Sequence, residues 1–302
     1  MSFYDPICFD PSGGFHNQIL DDGTLYDPDI KHVVGTCRFT VNFALCARLL
    51  GFGDKGREHF LEMAKHGINF LTEHHWDPTS AGFNWVLKRQ VSGDVVNFVV
   101  DDGEKWGYAV AFGLLACANA KLAGVEGMDE ALERALSCVE TFKDGSTGLF
   151  LDSFNSTMTV KSNYRGQNSN MHMCEALIAA FEATGERKHL NAAAAIAKKL
   201  TVELSAGCGW VNEHYDEDWV PDPEKNKDAD PSSEEYIFRP PGFQPGHSME
   251  WAKLLVLLDS HSSGQYGWML ETAKGLFRET VKCGWHDKGG LVYLVEKSGD
   301  ET

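Results

Sequence analysis

Two histidine–glutamate pairs at one spacing are the residues of this sequence best suited to acid–base chemistry. They are His172 with Glu175 in NMHMCEAL and His247 with Glu250 in GHSMEWAKLL. A spacing of three puts both members of a pair on one face of a helix. An imidazole changes charge near neutral pH, so it can both take and return a proton, and a nearby carboxylate can orient it. Cationic residues precede these pairs at matching intervals: Arg38, Lys105 and His172 are 67 residues apart, and His247 follows after 75. All four lie near the starts of apolar helical segments, which predicts that they converge on one rim of a cavity. Helix N-termini carry the positive end of the dipole, so the expectation is a neutral histidine able to accept a proton. Arg165, Asn168, Asn170, Arg239 and Gln244 surround the pairs in YRGQNSNMH and FRPPGFQPGH and could hold a polyhydroxylated ligand. A single His–Glu pair on a helix is more often structural than catalytic; recurrence at similar positions favours chemistry.

Other chemistries find less support. Di-iron bundles use Glu-x-x-His, the reverse order, with additional glutamates, so no metal site is expected. His74 and His75 in TEHHWD are explained by a helix end. The 8 cysteines include no C-x-x-C pair and lie scattered in apolar stretches, the pattern of reduced thiols packed as small hydrophobes. No G-x-G-x-x-G follows a strand, and neither a P-loop nor a G-x-S-x-G is present, so neither a nucleotide cofactor nor a hydrolase serine is expected.

The elements that must position these residues repeat. Four first helices are TCRFTVNFALCARLLG, EKWGYAVAFGLLACANAKLAG, NMHMCEALIAAFEATG and GHSMEWAKLLVLL. Partner helices are predicted over Lys55–Glu73, Met128–Phe142, Lys188–Leu204 and Trp268–Val281. Each is followed by a Gly-aromatic, strand-like tail, starting at Gly82, Gly148, Gly209 and Gly290. Trp251, Leu254, Leu255 and Leu258 form an i, i+3, i+4, i+7 stripe that neighbours must cover. Ala176, Ala179, Ala180 and Ala183 permit close helix approach, and Gly51, Gly124 and Gly185 read as helix stops. The prediction is an all-α protein: helical hairpins stacked as an α/α toroid, with short β-hairpin arms. It forms a single domain over 1–302, with repeats near 36–87, 103–155, 168–216 and 245–296. The longer last spacing comes with the acidic, proline-containing DEDWVPDPEKNKDADPSSEE.

With 302 residues, 43% of them hydrophobic, the chain can bury a large core, and its formal charge of −17 repels phosphate backbones and anionic lipid. No uninterrupted apolar run approaches the ~20 residues of a membrane span, and MSFYDPICFDPSGG lacks the pattern of a signal peptide. The expectation is a cytoplasmic protein that binds neither nucleic acid nor membrane.

At YRGQNSNMHMCEALIAAFEATGE, WVNEHYDEDW and FRPPGFQPGHSMEWAKLL the sequence resembles the N-acylglucosamine 2-epimerase superfamily. Within it, the likeness is greatest to the branch of D-mannose isomerases and related aldose–ketose isomerases. DPSGGFHNQILDDGTLYD and GTCRF fit the same branch, so the resemblance spans essentially the whole chain. It implies an (α/α)6 barrel that interconverts an aldose and a ketose of the mannose/fructose type through a cis-enediol, without a cofactor, on a monosaccharide substrate. It further implies that His247 and His172 act at the reacting centre, with Glu250 orienting His247 or assisting ring opening. Arg38, Asn168 and Arg239 would hold hydroxyls and the enediolate, and Tyr108 would line the cavity. Some relatives carry a histidine where Val110 stands.

The family ring has six repeats, with a second catalytic histidine in the last, whereas about four and a half repeats are counted here. His286 in GWHDKGG falls in a turn and is a poor substitute. The expectation is therefore an arc short of about two repeats, lacking one proton-transfer group and exposing apolar helix faces that could drive self-association. Three alternatives are a 2-epimerase of N-acetylglucosamine/N-acetylmannosamine or a disaccharide, an inverting glycoside hydrolase on a similar toroid, and a non-catalytic sugar-binding fragment.

Overall fold

Apolar residues recurring every three to four positions produce the helices, and strands form where that period breaks at the tails. The computed structural model describes residues 3–50, 53–80 and 82–296. Four helix pairs form its frame: α1 (Val33–Leu50) with α2 (Arg57–Phe70), α3 (Gly107–Ala123) with α4 (Met128–Phe142), α5 (Gln167–Thr184) with α6 (Arg187–Lys198), and α8 (Pro245–His261) with α9 (Trp268–Gly284). A short α7 (Glu234–Phe238) lies in the long insertion before α8. These are the four predicted hairpins. Two partner helices end differently from expectation, each in a π-helical turn, Leu71–His75 after α2 and Lys199–Glu203 after α6. Threonine hydroxyls there donate back to carbonyls four residues earlier, Thr72 to Ile68 at 2.9 Å and Thr201 to Ala197 at 2.7 Å. Such back-bonding competes with regular helical pairing. Gly124 ends α3 at φ +94°, as predicted, and Gly51 lies outside the described residues.

The tails do not form free-standing arms. Each pairs with the segment that leads into its own repeat's first helix. Thus β1 (Ile30–His32) pairs antiparallel with β4 (Val86–Ser92), β6 (Lys105–Trp106) with β7 (Ser153–Phe154), and β8 (Arg165–Gly166) with β9 (His214–Tyr215). In the fourth repeat Phe243 bridges Val295 in the same way. A small extra hairpin joins β2 (Trp76–Asp77) to β3 (Gly82–Phe83). The first tail also runs on into a long hairpin that was not anticipated, with β4 pairing to β5 (Val95–Asp102).

By contacts the described chain gathers into two compact units. The first comprises residues 3–143 with 153–161 and 179–185; the second comprises 144–152, 162–178 and 186–296. In the first, α1 packs on α2 and α3 around Phe15, Phe43, Ala44, Ile68 and Leu114. By length and composition α1 is apolar enough to cross a membrane, and 44% of it is buried within the protein. Lys105 does not reach a cavity rim as predicted. It is buried in β6, 2.6 Å from Asn84 Oδ1 and 3.1 Å from Asp77, because a lysine this deep must find a carboxylate. In the second unit, Leu190, Ile196 and Leu200 of the third hairpin and Trp251, Leu254, Leu255 and Leu258 of α8 are buried, the α8 residues being the stripe read from sequence. Trp210, Phe243 and Val295 form a satellite cluster beneath the last tail. Apolar side chains, among them Val256, Leu270 and Phe277, are exposed along α8 and α9. All eight cysteines are free thiols, and burial pushes Cys8, Cys117 and Cys138 up to about 12, which suits them to packing.

The α1–α2 contact depends on a missing side chain. A Cβ on Gly67 would overlap Thr40 Oγ1 and stand 2.7 Å from Phe15 Cε2. Alanine would gain about 1 kcal/mol of helix propensity but cost about 1–3 kcal/mol in overpacking. Gly67→Ala is expected to lower stability on balance, read as a lower midpoint in urea; an unchanged or raised midpoint would show that the interface yields.

Candidate active site

The site is built where first helices begin in the second unit. Both of its carboxylate-bearing tails end beside the start of the next first helix. Asp152, just before β7, accepts the Gly166 N–H at 2.6 Å and the Ser169 hydroxyl at 3.2 Å, closing the first turn of α5. Glu213, just before β9, stands in the same place one repeat later. It accepts the Gln244 N–H at 3.2 Å, and its other oxygen lies 2.8 Å from His247 Nδ1. The third residue after the capped N–H is Ser169 in one repeat and His247 in the next. His247 therefore occupies a position that elsewhere only caps a helix.

Its carboxylate partner is Glu213 rather than Glu250, the helix neighbour that the H-x-x-E spacing pointed to. Burial alone would pull the His247 imidazole down, but the charge and hydrogen bond of Glu213, helped by Glu250, carry it above its ordinary value. The shift runs opposite to the one expected from the helix dipole, because a buried carboxylate at hydrogen-bond distance outweighs partial charges on helix amides. Burial likewise opposes the charge on Glu213, yet His247, His214 and Gln167 together hold it below the ordinary carboxylate range. Asp152, whose partner is a hydroxyl, shows the opposite result. Burial pushes it up to about 7 against the Gly166 N–H, the Ser169 hydroxyl and the Arg239 and Arg165 charges.

His172, in the second turn of α5, keeps its predicted pairing. Its Nδ1 is 3.2 Å from Glu175, whose other oxygen accepts from Lys253 at 2.8 Å. Burial opposes the charge on Glu175, but His172 and Lys253 bring it down to about 2. The His172 Nε2 faces Glu250 at 4.0 Å. Glu250 thus lies beside one histidine and acts electrostatically on the other, so the structure brings His172, His247, Glu175 and Glu250 together.

The predicted binding residues divide between the units. Asn168 is the second residue of α5, and its Oδ1 is buried without a hydrogen-bond partner among the described residues. Arg239 follows α7 and lays its guanidinium over the Tyr164 ring at 3.9 Å. Tyr164 is fixed in turn by a 2.7 Å hydrogen bond to His214 Nδ1, and His214 Nε2 donates to the Pro240 carbonyl at 2.7 Å. In the first unit Arg38 donates to the Tyr108 hydroxyl at 3.1 Å and lies 4.6 Å over the Phe112 ring. His286 sits in a turn, its Nδ1 accepting the Lys288 N–H at 3.0 Å. Among the described residues no three His, Cys, Asp or Glu side chains gather as a metal-ligand set.

Sequence reasoning missed Glu213, Gln167 and Tyr164. WVNEHY carried the signal for Glu213, since its acid occupies the same tail position as the acid of FLDSF; only the strand register makes that equivalence visible.

Comparison with known proteins agrees with this architecture. The family model for N-acylglucosamine 2-epimerase matches residues 13–302. The D-mannose isomerase of Marinomonas mediterranea is 39% identical over 303 residues, covering 99% of this chain and 72% of the relative. A crystal structure of D-mannose isomerase superposes with a TM-score of 0.89 at 39% identity, covering 100% of this chain and 73% of that one. The cellobiose 2-epimerase of Bacillus thermoamylovorans shares the fold, with a TM-score of 0.78 at 18% identity over 97% of this chain and 71% of its own. The fold class is accordingly the (α/α)6-type toroid.

The buried Glu213–His247 pair has a pH signature. Because His247 is raised, its contribution to stability is complete below about pH 6.5 and is lost as pH rises through the folded-state value. Because Glu213 is lowered, its contribution is complete above about pH 4.5 and is lost as pH falls. The pair therefore stabilises most between those limits. In Glu213→Gln, burial acts on His247 with little opposition, so its NMR titration midpoint is expected to fall from above to below the ordinary value. A midpoint that does not move would show that Glu213 does not control this ring.

Proposed function

This chain belongs to the N-acylglucosamine 2-epimerase family, and from that premise we propose that it is a cofactor-independent sugar isomerase interconverting an aldose of the mannose type with its ketose. The observation that carries the reading is the pairing of two histidines on α5 and α8, each with a carboxylate on its Nδ1, and with Glu250 beside them.

The chemistry needs little else. Neutral His247 takes the C2 proton of the open-chain aldose on Nε2, and the C–H electrons form the C1–C2 double bond as the carbonyl oxygen becomes an enediolate. Transfer of the O2 proton to O1 and return of the abstracted proton to C1 leave a hydroxyl on C1 and the carbonyl at C2. Nothing is oxidised overall. Glu213 raises the basicity of the ring and then stabilises the imidazolium, as general acid–base catalysis near neutral pH requires. His172, backed by Glu175, supplies a second acid–base group for ring opening or for the O1/O2 proton. Arg239, oriented by Tyr164, offers charge to the developing enediolate, and Asn168 offers an amide to a sugar hydroxyl. The resemblance adds Arg38 and Tyr108 as hydroxyl-binding residues.

Incubation of the protein with mannose in D₂O tests this directly. Fructose labelled at C1 is the expected product, whereas label at C2 of an epimer would make the protein an epimerase. kcat/KM is expected to rise with pH through a midpoint above about 6.5. His247→Gln is expected to lose about 10²–10⁴-fold in rate. No exchange at either carbon, with mannose or with related aldoses, would remove the enzymatic reading.

A further inference from the structure

The His247–Glu213 pair is held by two residues that touch no reacting atom. Trp251 is fully buried, and its indole N–H, which can only donate, lies 2.6 Å from Gln167 Oε1. That contact fixes which way the Gln167 amide faces. Its nitrogen must point the other way, and it stands 2.9 Å from Glu213 Oε2 and 2.9 Å from His247 Nδ1. The amide nitrogen has no lone pair to accept a hydrogen bond, so Glu213 is the acceptor that His247 Nδ1 finds, at 2.8 Å. A bare Nδ1 would set its lone pair against the carboxylate. A protonated Nδ1 donates to Glu213, leaves the amide to donate to the same oxygen, and satisfies every group.

We propose that Trp251 and Gln167 are positioning residues that lock neutral His247 in its Nδ1–H tautomer. The lock leaves Nε2 as the one ring nitrogen able to exchange a proton with substrate. The lock's catalytic meaning rests on the isomerase reading, but its existence does not. In the preceding repeat the equivalent carboxylate, Asp152, caps α5 through a backbone N–H and a serine hydroxyl. A hydroxyl rotates to suit its neighbours and needs no tautomer fixed. A neutral imidazole in the wrong tautomer would present an N–H where a base is required.

The test is the ¹⁵N spectrum of ring-labelled histidine in the full chain, with His247 assigned by its loss in His247→Gln. Above its titration, His247 is expected to show a protonated Nδ1 and a bare Nε2. Trp251→Phe keeps an aromatic ring but removes the donor, and Gln167→Met removes the amide from the other side. In each, the Nε2–H tautomer should appear and kcat should fall about 10–100-fold with KM nearly unchanged, the range seen for partners that orient metal-bound histidines. If Trp251→Phe fails to fold, Gln167→Met decides. The lock is overturned if the unaltered protein carries its proton on Nε2. It is equally overturned if a folded variant keeps the Nδ1–H tautomer and loses only thermal stability. Absence of sugar turnover would remove the isomerase reading while the tautomer measurement still decides the lock.

Discussion

A carboxylate at the end of one repeat, bonded to the first turn of the next repeat's helix, is the interaction on which the second unit depends. Helices begin with N–H groups that have no partner inside the helix, and a buried start cannot leave them to water. Asp152 and Glu213 meet that demand from the preceding tail, at Gly166 and Gln244. The cap sets where α5 and α8 begin, and therefore where His172, Asn168 and His247 stand. It also brings a negative charge into the interior. Where the third residue is Ser169, no charged group is hydrogen-bonded to the carboxylate, and burial prevails over the charges of Arg239 and Arg165. Where it is His247, imidazole and carboxylate each favour the other's charged form, and attraction outweighs desolvation. The same motif thus ends on a serine hydroxyl in one repeat and on an imidazole in the next.

The two histidines use different supports. His172 draws Glu175 from its own helix, and Lys253 of α8 steadies that carboxylate from outside. His247 draws Glu213 from a tail, deep in the protein. The first carboxylate is part-exposed and shared with a lysine; the second is buried and also accepts from the Gln167 amide, which the Trp251 indole holds. Two imidazoles that both have Glu250 as a neighbour are therefore supported in different ways.

The helices and the repeat were legible in sequence because burial imposes the 3.6-residue period locally. Trp251, Leu254, Leu255 and Leu258 are buried as their spacing demands, and Met128–Phe142 forms a helix with the predicted ends. His172 with Glu175 was legible for the same reason, being a contact within one turn. The partner of His247 was not, since Glu213 is thirty-four residues away and arrives through strand pairing. Spacing also suggested that Lys105 belonged with Arg38 and His172. Register shows instead that it precedes its helix, in a strand, where Asp77 and Asn84 take its charge. The β4–β5 hairpin follows the first tail and has no counterpart in the other repeats to reveal it, and the π turns depend on competing hydrogen bonds that composition does not display.

Pairing each tail with the strand that leads into its own repeat closes every repeat on itself through main-chain hydrogen bonds. What lies between one closure and the next is therefore outside the register and can change length at little entropic cost. The segment between β9 and Phe243 uses that freedom, holding α7, an excess of acidic residues and Arg239. Glu213 and His247 flank the same segment but are anchored by the closures on either side. The segment that carries Arg239 can thus be lengthened or redrawn while Glu213 and His247 keep their places on either side of it.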